Sequence, residues 1–301
     1  MNASSDTVVE PAPAKLNLYL HVVGRRADGY HLLDSLVAFA ACGDVLRARA
    51  AGALSLSLDG PFAGALAAEP DNLVLKAARA LSGTAAGAGH RAGDAAAPGA
   101  EIALTKNLPV ASGIGGGSAD AAAALRALRR LWRSAVDDRG LADIAYRLGA
   151  DVPVCLRGAP TFVGGIGEVT DPAPRLPPAG LVLVNPRIPL STPRVFQARS
   201  GPFSVAQRFS EAPRDADALA RALAARHNDL EPAAIAIVPA ISTVLEALAA
   251  SPGCRIARMS GSGATCFGIY DNAGIAAEAA RWLRQRDSTS WWIEPTRLAP
   301  A

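Results

Sequence analysis

Apolar and polar residues alternate along the first patterned segment, which begins at Ala12. The apolar positions are Leu16, Leu18, Leu20 and Val22, and the positions between them are Lys15, Asn17, Tyr19 and His21. A period of two predicts a half-buried strand. Lys15 and Asn17 lie side by side on the polar face, which suits either a strand that lines a site or a polar edge facing solvent. The residues before this segment, 1–11, are predicted to be disordered.

The pattern along the rest of the chain predicts a mixture of strands and helices. Further strands are predicted at 32–40, 44–50, 54–58, 101–106 and 181–185, within a hairpin over 159–168, on both sides of a turn in 257–270, and at 291–293. Periods near 3.6 predict helices over 71–82, 119–130, 141–148, 216–225, 241–250 and 273–286. The Ala/Gly-rich stretch 84–100 has no period and is predicted to be a mobile surface loop. The Pro-rich stretch 171–178 is the natural boundary between two domains, 1–170 and 171–301.

A cluster of glycines interrupts the pattern between residues 113 and 117. Gly113, Gly115, Gly116 and Gly117 predict a loop, because glycine destabilises helix and strand interiors. Ser118 is the expected N-cap of the following helix, with Asp120 in its first turn. A loop that enters a helix N-terminus suits a phosphate group. The sequence has neither the Gly-Lys-Ser/Thr ending of a Walker loop nor the third glycine of a dinucleotide loop; a turn that packs a helix against a sheet is the alternative.

Composition narrows the class of protein. The 301 residues suffice for two domains, and the net charge of +3 is small, with basic residues scattered, which disfavours a nucleic-acid surface. No run of 18 strongly apolar residues and no secretory signal is apparent, so we expect a cytoplasmic protein without a membrane span. The four cysteines are isolated, which disfavours a zinc site or a disulfide framework.

Two short motifs contain candidate functional side chains. Tyr30 and His31 follow an Asp-Gly turn, either exposed to a ligand or forming a hairpin tip. Asp151 precedes Pro153, where an aspartate also serves simply to cap a short helix.

Three motifs, in order, resemble those of the GHMP small-molecule kinases. They are Pro13-Ala-Lys-Leu-Asn-Leu, the loop Pro109-Val-Ala-Ser-Gly-Ile-Gly-Gly-Gly-Ser-Ala-Asp-Ala-Ala, and Met259-Ser-Gly-Ser-Gly-Ala-Thr-Cys-Phe. The resemblance covers nearly the whole chain except 84–100. It implies an α+β, two-domain GHMP kinase fold, with an N-terminal domain like domain 2 of ribosomal protein S5, a ferredoxin-like C-terminal domain, and the active site in the cleft between them.

Within this family, four further motifs are similar to those of kinases that phosphorylate the 2-hydroxyl of a cytidylylated methylerythritol in non-mevalonate isoprenoid synthesis. These are Gly24-Arg-Arg-Ala-Asp-Gly-Tyr-His31, the Gly-Gly-Gly-Ser-Ala-Asp form of the loop, Gly149-Ala-Asp-Val-Pro153, and His227-Asn-Asp-Leu-Glu231. The implied phosphoryl donor is ATP with Mg²⁺. The implied partners are these small molecules, with no nucleic acid or membrane, and the protein is expected to be a monomer or weak homodimer.

The resemblance also implies residue roles. Asp151 is the expected general base, and Lys15 is expected to keep it ionised and to stabilise the nascent alkoxide. The expected ATP site comprises Pro109, Val110, Ala111, Ser112, Gly113, Ile114, Gly115, Gly116, Gly117, Ser118 and Ala119, with Asn72 and Lys106 on the adenosine side. Ser118 is also the candidate Mg²⁺ ligand. The expected substrate site comprises Asn17, Tyr30, His31, Thr192 and Phe196, with the cytosine between the rings of Tyr30 and Phe196.

Two alternatives remain at this point. A kinase for homoserine or mevalonate-type substrates would need no aromatic platform for a base, which disfavours it here. A non-catalytic nucleotide-binding regulator on the same scaffold would not require Lys15 and Asp151, and both are present. Asp120 is expected to be either functional or a partner of the helix dipole.

Overall fold

The structure, a computed structural model, describes residues 7–66, 72–85, 98–286 and 290–300, and confirms the predicted α+β class. The strands are β1 (Val8–Arg25), β2 (His31–Ala51), β3 (Ser55–Asp59), β4 (Gly99–Thr105), β5 (Thr161–Gly165), β6 (Val169–Pro172), β7 (Gly180–Asn185), β8 (Ile256–Met259), β9 (Cys266–Tyr270) and β10 (Trp292–Arg297). The helices are α1 (Leu73–Ala85), α2 (Gly116–Leu131), α3 (Asp138–Leu148), α4 (Val152–Arg157), α5 (Thr192–Ala198), α6 (Ala216–Ala224), α7 (Glu231–Ile237), α8 (Ala240–Ala250) and α9 (Ala273–Arg286).

The chain forms two compact units, neither of which is continuous in sequence. Unit 1 comprises Met1–Pro13, Gly43–Val110 and Gly116–Arg157 as far as these are described, and unit 2 comprises Ala14–Cys42, Ala111–Gly115 and Gly158–Ala301 on the same terms. The chain therefore alternates between the units at the glycine loop. The predicted domain boundary at 170/171 falls within unit 2 and stays a prediction.

Unit 1 combines a small sheet with helices α1 to α4. The C-terminal half of β2 pairs antiparallel with β4, and β3 pairs parallel with β4. Helix α2 packs against α1 and α4. Its buried residues include six alanines, which let neighbouring elements approach closely because their side chains are small: Ala119, Ala121, Ala122, Ala123, Ala124 and Ala127.

Unit 2 contains a four-stranded antiparallel sheet in the order β10-β7-β9-β8. Helices α8 and α9 pack on this sheet. The resulting core includes Val182 and Val184 from β7, Val244 from α8 and Leu283 from α9. The N-terminal half of β2 pairs with β5, which pairs with β6 in a hairpin. The prediction of a hairpin over 159–168 is wrong in its bounds, because the second strand lies at Val169–Pro172.

Strand β1 differs from its prediction in two ways. It begins at Val8, so the predicted disorder is wrong for residues 8–11. Glu10 explains the difference, since its buried carboxylate pairs with Arg126 and Arg130 on α2, a distant contact that local sequence does not reveal. The strand is also buried on both faces, whereas one buried face was predicted. His21, on the predicted polar face, has no exposed surface.

Strand β2 is continuous where two strands were predicted. Gly43 lies in its middle, and a side chain at this position would place a Cβ atom 2.3 Å from the carbonyl oxygen of Ala12. The glycine thus permits a close approach of β1 and does not form a turn. The predicted loop 84–100 lies mostly outside the described residues, although 84–85 end α1 and 99–100 begin β4.

Candidate active site

Strand β1 positions Lys15 and Asn17 in unit 2. Both residues are buried, and Lys15 Nζ donates to Asn17 Oδ1 at 2.9 Å. Asn17 Nδ2 donates to Ser35 Oγ at 2.8 Å, and Ser35 Oγ donates to the carbonyl oxygen of Tyr19 at 2.5 Å. This chain of hydrogen bonds fixes the two polar side chains of the strand, which explains how its polar face can be buried.

Residues 111–115 of the glycine loop belong to the same unit as Lys15. The backbone N–H of Lys15 donates to the carbonyl oxygen of Ile114 at 2.9 Å. Gly115 has a φ of +63°, and a Cβ atom there would lie 3.0 Å from Lys15 Cε. Unit 2 therefore brings together the predicted catalytic lysine and the middle of the predicted phosphate loop.

The turn at 260–264 holds this part of the loop. Ser260 Oγ donates to the carbonyl oxygen of Gly113 at 3.1 Å, and the N–H of Thr265 donates to that of Ser112 at 3.1 Å. Gly113 has a φ of +77°, and a Cβ atom at this residue would lie 2.5 Å from the carbonyl oxygen of Gly263. Both the conformation and the close packing require glycine here.

Helix α2 begins at Gly116, three residues before its predicted start. Gly116 and Gly117 are thus helical, and Ser118 lies in the first turn, so the predicted N-cap role of Ser118 is wrong. Glycine is tolerated because first-turn N–H groups have no intrahelical partner to lose. The N–H groups of Gly116, Gly117, Ser118 and Ala119 form a helix N-terminus, which is suited to an anion.

Asp120 is deeper in the helix than predicted, since the first turn of α2 contains no acidic residue. It lies in a buried cluster with Lys106 and Asp44. Lys106 Nζ donates to Asp120 Oδ2 at 2.7 Å and also to Asp44 Oδ2. Asp44 Oδ1 accepts from the backbone N–H groups of Asn107 and Leu108 at 2.6 and 2.9 Å. This cluster ties the end of β4 to α2, and it explains Asp120 better than a helix-dipole role.

The cluster contains two carboxyl groups and one ammonium group, and this shifts the pKa values of Asp120 and Lys106. Burial and the charge of Asp44 raise the pKa of Asp120 to about 7, against the lowering influence of Lys106. Burial disfavours the Lys106 ammonium, but Asp120 and Asp44 outweigh it and raise the pKa of Lys106. Lys106 is therefore a charged group near neutral pH, bound to carboxylates within unit 1.

Three other predicted ATP residues also lie in unit 1. Asn72 is buried directly before α1, and its Oδ1 accepts from the N–H of Val74 at 2.9 Å, as a helix cap does. Pro109 is buried and Val110 half-buried between β4 and the glycine loop. The predicted contacts of these residues with ATP stay predictions.

Asp151 lies directly before α4, where its carbonyl oxygen accepts from the N–H of Cys155 at 3.0 Å. The preceding Gly149 ends α3, with a φ of +157°. Asp151 is half-buried. Because Asp151 belongs to unit 1 and Lys15 to unit 2, their pairing stays a prediction.

The predicted substrate residues all lie in unit 2. The rings of His31 and Phe196 stack with centroids 5.3 Å apart and an interplanar angle of 26°, whereas Tyr30 is 62% exposed. Thr192, at the start of α5, has its Oγ1 2.7 Å from Ser262 Oγ. Burial, then the positive charges of Arg25 and Arg199, lower the pKa of His31, which is therefore a neutral hydrogen-bonding ring at pH 7.

Sequence reasoning missed the structural partners of these residues. Asp44 and Ser35 were not singled out, although each fixes a predicted site residue, Lys106 and Asn17 respectively. Asp44 stood at the start of a predicted strand, a position that gave no signal of its pairing with Lys106. For Ser35, no signal in the local pattern distinguishes it from an ordinary strand residue.

A membrane-spanning helix is not found among the described residues, since none of their helices combines the necessary length and hydrophobicity.

Comparison with known proteins identifies the family. The GHMP kinases N terminal domain matches residues 72–159, and the GHMP kinases C terminal domain matches residues 206–287. The 4-diphosphocytidyl-2-C-methyl-D-erythritol kinase of Paramagnetospirillum magneticum is 56% identical over 287 residues, covering 95% of this chain and 97% of the relative. That of Rhodospirillum rubrum is 52% identical, covering 98% and 94%.

Solved structures agree with these sequence matches. A crystal structure of 4-(cytidine 5'-diphospho)-2C-methyl-D-erythritol kinase is 32% identical, covers 97% of this chain and all of its own, and superposes with a TM-score of 0.77. A homoserine kinase from Cytophaga hutchinsonii has a TM-score of 0.72 at 17% identity, which shows a shared fold alone. The expected two-domain GHMP kinase fold is thereby confirmed. The chain belongs to the 4-diphosphocytidyl-2-C-methyl-D-erythritol kinase family, within the GHMP kinases.

Proposed function

We propose a residue-level mechanism for the reaction that this family membership assigns to the chain. The enzyme transfers the γ-phosphoryl group of ATP to the 2-hydroxyl of 4-diphosphocytidyl-2-C-methyl-D-erythritol, giving the 2-phosphate and ADP. The reaction belongs to the non-mevalonate pathway of isoprenoid precursor synthesis. One observation carries the mechanism: Lys15 packs against Gly115 of the glycine loop while Asn17 fixes its ammonium.

ATP binding rests on the glycine loop and on α2. Backbone N–H groups of the first turn of α2 bind phosphate oxygens, with the positive end of the helix dipole adding attraction. The loop residues Ser112 to Gly115 belong to the same proposed ATP site. Phosphoryl transfer requires mainly positioning and stabilisation of charge, which backbone donors supply without rearranging. Asn72 helps to place the adenosine by fixing the start of α1.

Asp151 acts as the general base. Its carboxylate accepts the proton of the 2-hydroxyl as the new O–P bond forms, and the bond between the γ-phosphorus and the bridging oxygen of ADP breaks. In this proposal the positive charge of Lys15 stabilises the developing alkoxide. Its hydrogen bond to Asn17 is consistent with this role, because the bond holds a flexible side chain in one orientation.

Mg²⁺, which the family resemblance implies, would be held mainly by phosphate oxygens, and Ser118 is half-buried in the first turn of α2. This ion keeps several waters and binds through phosphates and one or two protein oxygens, so it does not need a dedicated cage. The Ser118 hydroxyl, in the first turn of α2, is the proposed protein ligand. When bound, the ion neutralises charge on the β- and γ-phosphates.

The acceptor is recognised at its cytidine end. Tyr30 and Phe196 enclose the cytosine, and stacking on an aromatic ring contributes about 1–3 kcal/mol. His31 supports Phe196 by ring stacking and, as a neutral imidazole, hydrogen-bonds the nucleoside together with Asn17. Thr192 contributes a hydroxyl near the turn at 260–264. This platform favours the cytidylyl substrate over homoserine or mevalonate.

ATP and a nucleotide-linked alcohol are soluble metabolites, and we place the enzyme in the cytoplasm as a monomer or weak homodimer.

A coupled assay of ADP release tests the mechanism. Asp151→Asn is expected to lower kcat by about 10²–10⁴-fold, since general base catalysis contributes that much. Asp143→Asn is a matched control, because Asp143 is an exposed carboxylate of unit 1 on α3. Turnover of Asp151→Asn within a few-fold of the control would refute the role of Asp151. Faster turnover of the free alcohol than of the cytidylyl substrate would refute the assigned acceptor.

A further inference from the structure

The segment His227–Glu231 contains a buried side chain that no step of the mechanism uses. Asn228 is 4% exposed and belongs to unit 2. Its Nδ2 group donates two hydrogen bonds, to the carbonyl oxygens of Met259 at 3.0 Å and Gly261 at 2.8 Å. Its Oδ1 accepts from the N–H of Leu230 at 3.0 Å. Both amide hydrogens and the amide oxygen are thus engaged, which a residue of another type would not reproduce.

The two carbonyl groups bound by Asn228 flank Ser260 in the turn that contacts the glycine loop. Ser260 Oγ donates to the carbonyl oxygen of Gly113 and accepts from the N–H of Asn17, both at 3.1 Å. Ser260 therefore links the loop to β1, in addition to the direct bond from the N–H of Lys15 to the carbonyl oxygen of Ile114. Asn228 determines where Ser260 lies, because it holds the backbone on both sides.

The same segment is bonded to β1 directly. The N–H of Leu20 donates to the carbonyl oxygen of His227 at 3.1 Å, and the N–H of Asp229 donates to that of Leu20 at 2.8 Å. The Asp229 carboxylate accepts from the N–H of Val22 at 2.6 Å. Strand β1 carries Lys15 and Asn17, so the segment is joined to both structures that form the catalytic face of unit 2.

We propose that Asn228 is a positioning residue for phosphoryl transfer: it sets the turn at 260–264, and through Ser260 the glycine loop, in register with Lys15 and Asn17 on β1. The role rests on the proposed function of the loop and of Lys15. Asn228 itself does not touch ATP or the acceptor. It acts by preventing the loop from moving away from β1, since small displacements of a binding loop reduce catalysis strongly.

Amide exchange in the wild-type protein provides the first test, and it needs no turnover. The N–H of Asn17 donates to Ser260 Oγ, and the N–H of Thr265 donates to the carbonyl oxygen of Ser112. Slow hydrogen exchange at both amides is expected. Exchange at the rate of unprotected amides would show that turn and loop are not joined in this way, and would overturn the proposal.

Asn228→Ala removes the three hydrogen bonds and is expected to speed exchange at the Asn17 and Thr265 amides by tenfold or more. The KM for ATP, measured per folded enzyme, is expected to rise about tenfold. Ser251→Ala is the matched control, because it removes a buried hydroxyl of unit 2 that bonds the carbonyl oxygen of Leu248 and the hydroxyl of Tyr270, at the end of β9 away from the turn. The control is expected to lower thermal stability without changing the KM for ATP or these amides.

Asn228→Asp provides a second variant if the alanine variant does not fold. An aspartate keeps the shape of the side chain and an oxygen that accepts from the N–H of Leu230. Its second carboxylate oxygen, however, faces the carbonyl oxygens of Met259 and Gly261, to which it has no hydrogen to donate. Burial raises the pKa of such a carboxyl group, and its protonated form donates one hydrogen bond. The KM for ATP is therefore expected to recover in part, relative to wild type, as the pH falls from 8 to 6.

The outcomes separate this inference from the proposed function. Wild-type amide exchange and KM values in Asn228→Ala, or changes no larger than those of Ser251→Ala, would overturn the positioning role. Absence of kinase activity in the wild-type protein would overturn the proposed function instead. In that case the exchange measurements would still decide whether Asn228 joins the turn and the loop.

Discussion

The buried cluster of Asp44, Lys106 and Asp120 predicts that Asp120→Asn stabilises unit 1 above pH 7. With both carboxyl groups ionised the cluster has a net charge of −1 in a region shielded from water. Burial and Asp44 raise the pKa of Asp120 from 3.8 to about 7. A carboxyl group with a higher pKa in the folded state binds its proton more tightly there. Its contribution to stability is therefore complete below pH 4 and is lost as the pH rises through 7.

The expected magnitude follows from that shift. Each unit of pKa difference corresponds to about 1.4 kcal/mol, so a group shifted from 3.8 to about 7 changes the free energy of unfolding by about 2–3 kcal/mol between pH 5 and pH 8. An asparagine keeps the shape of Asp120 and has no proton to lose. The variant and the wild type are expected to be similar at pH 5, with the variant more stable by about 2–3 kcal/mol at pH 8.

Urea denaturation at several pH values measures this difference, with fluorescence of Trp132 as the probe of unit 1. Trp132 follows α2, and its Nε1 donates to the carbonyl oxygen of Gly99 at 3.3 Å. Replacing Trp282, Trp291 and Trp292, which belong to unit 2, by phenylalanine isolates its signal. Both proteins carry these replacements, so their effects cancel in the comparison.

Asp44→Asn serves as the contrasting variant. Asp44 Oδ1 accepts two backbone hydrogen bonds, from Asn107 and Leu108, and its Oδ2 accepts from Lys106. An amide has only one oxygen, so in either orientation it loses one of these two sets of bonds. It is expected to destabilise unit 1 at every pH tested, by about 1–3 kcal/mol. A difference between Asp120→Asn and wild type that stays constant from pH 5 to pH 8, or that favours wild type at pH 8, would refute the reasoning on Asp120.

Two further predictions concern the loop and the aromatic residues. Gly113→Ala is expected to lower kcat/KM for ATP at least 10²-fold in the ADP assay, since a Cβ atom would lie 2.5 Å from the carbonyl oxygen of Gly263. Gly52→Ala serves as the control, because a Cβ atom there meets nothing within 4 Å. Similar values for the two variants would contradict the packing argument. Phe196→Leu is expected to raise the KM for the cytidylyl substrate about 5–160-fold, from the loss of about 1–3 kcal/mol of stacking, with the KM for ATP unchanged; an equal rise in both KM values would argue against a base platform.

Elements with a clear period could be predicted from the sequence because their stability depends on one apolar face. Helix α9 matches its predicted range, and α8 and β7 differ by one residue at one end. In these segments, the local pattern and the packing agree, so the pattern was sufficient.

The differences arise where distant contacts override local preference. Residues 8–11 join β1 because Glu10 finds two arginines on α2, more than 100 residues later. Gly43 permits a close approach of Ala12, which the sequence around Gly43 cannot indicate. Gly116 and Gly117 belong to α2 because the first turn of a helix tolerates residues that its interior does not.

The candidate site could likewise be predicted only in part from the sequence. The motifs contained Asn17, Ser260 and Asn228, and the structure adds the hydrogen bonds that join them: Asn17 to Lys15, Ser260 to the loop, and Asn228 to the turn. These partners bond to backbone groups or to each other, so their positions in sequence have no period. A buried polar side chain must nevertheless have its hydrogen bonds satisfied. Each buried polar residue of the site therefore implies a partner, and following those partners from Lys15 leads through Asn17 and Ser260 to Asn228.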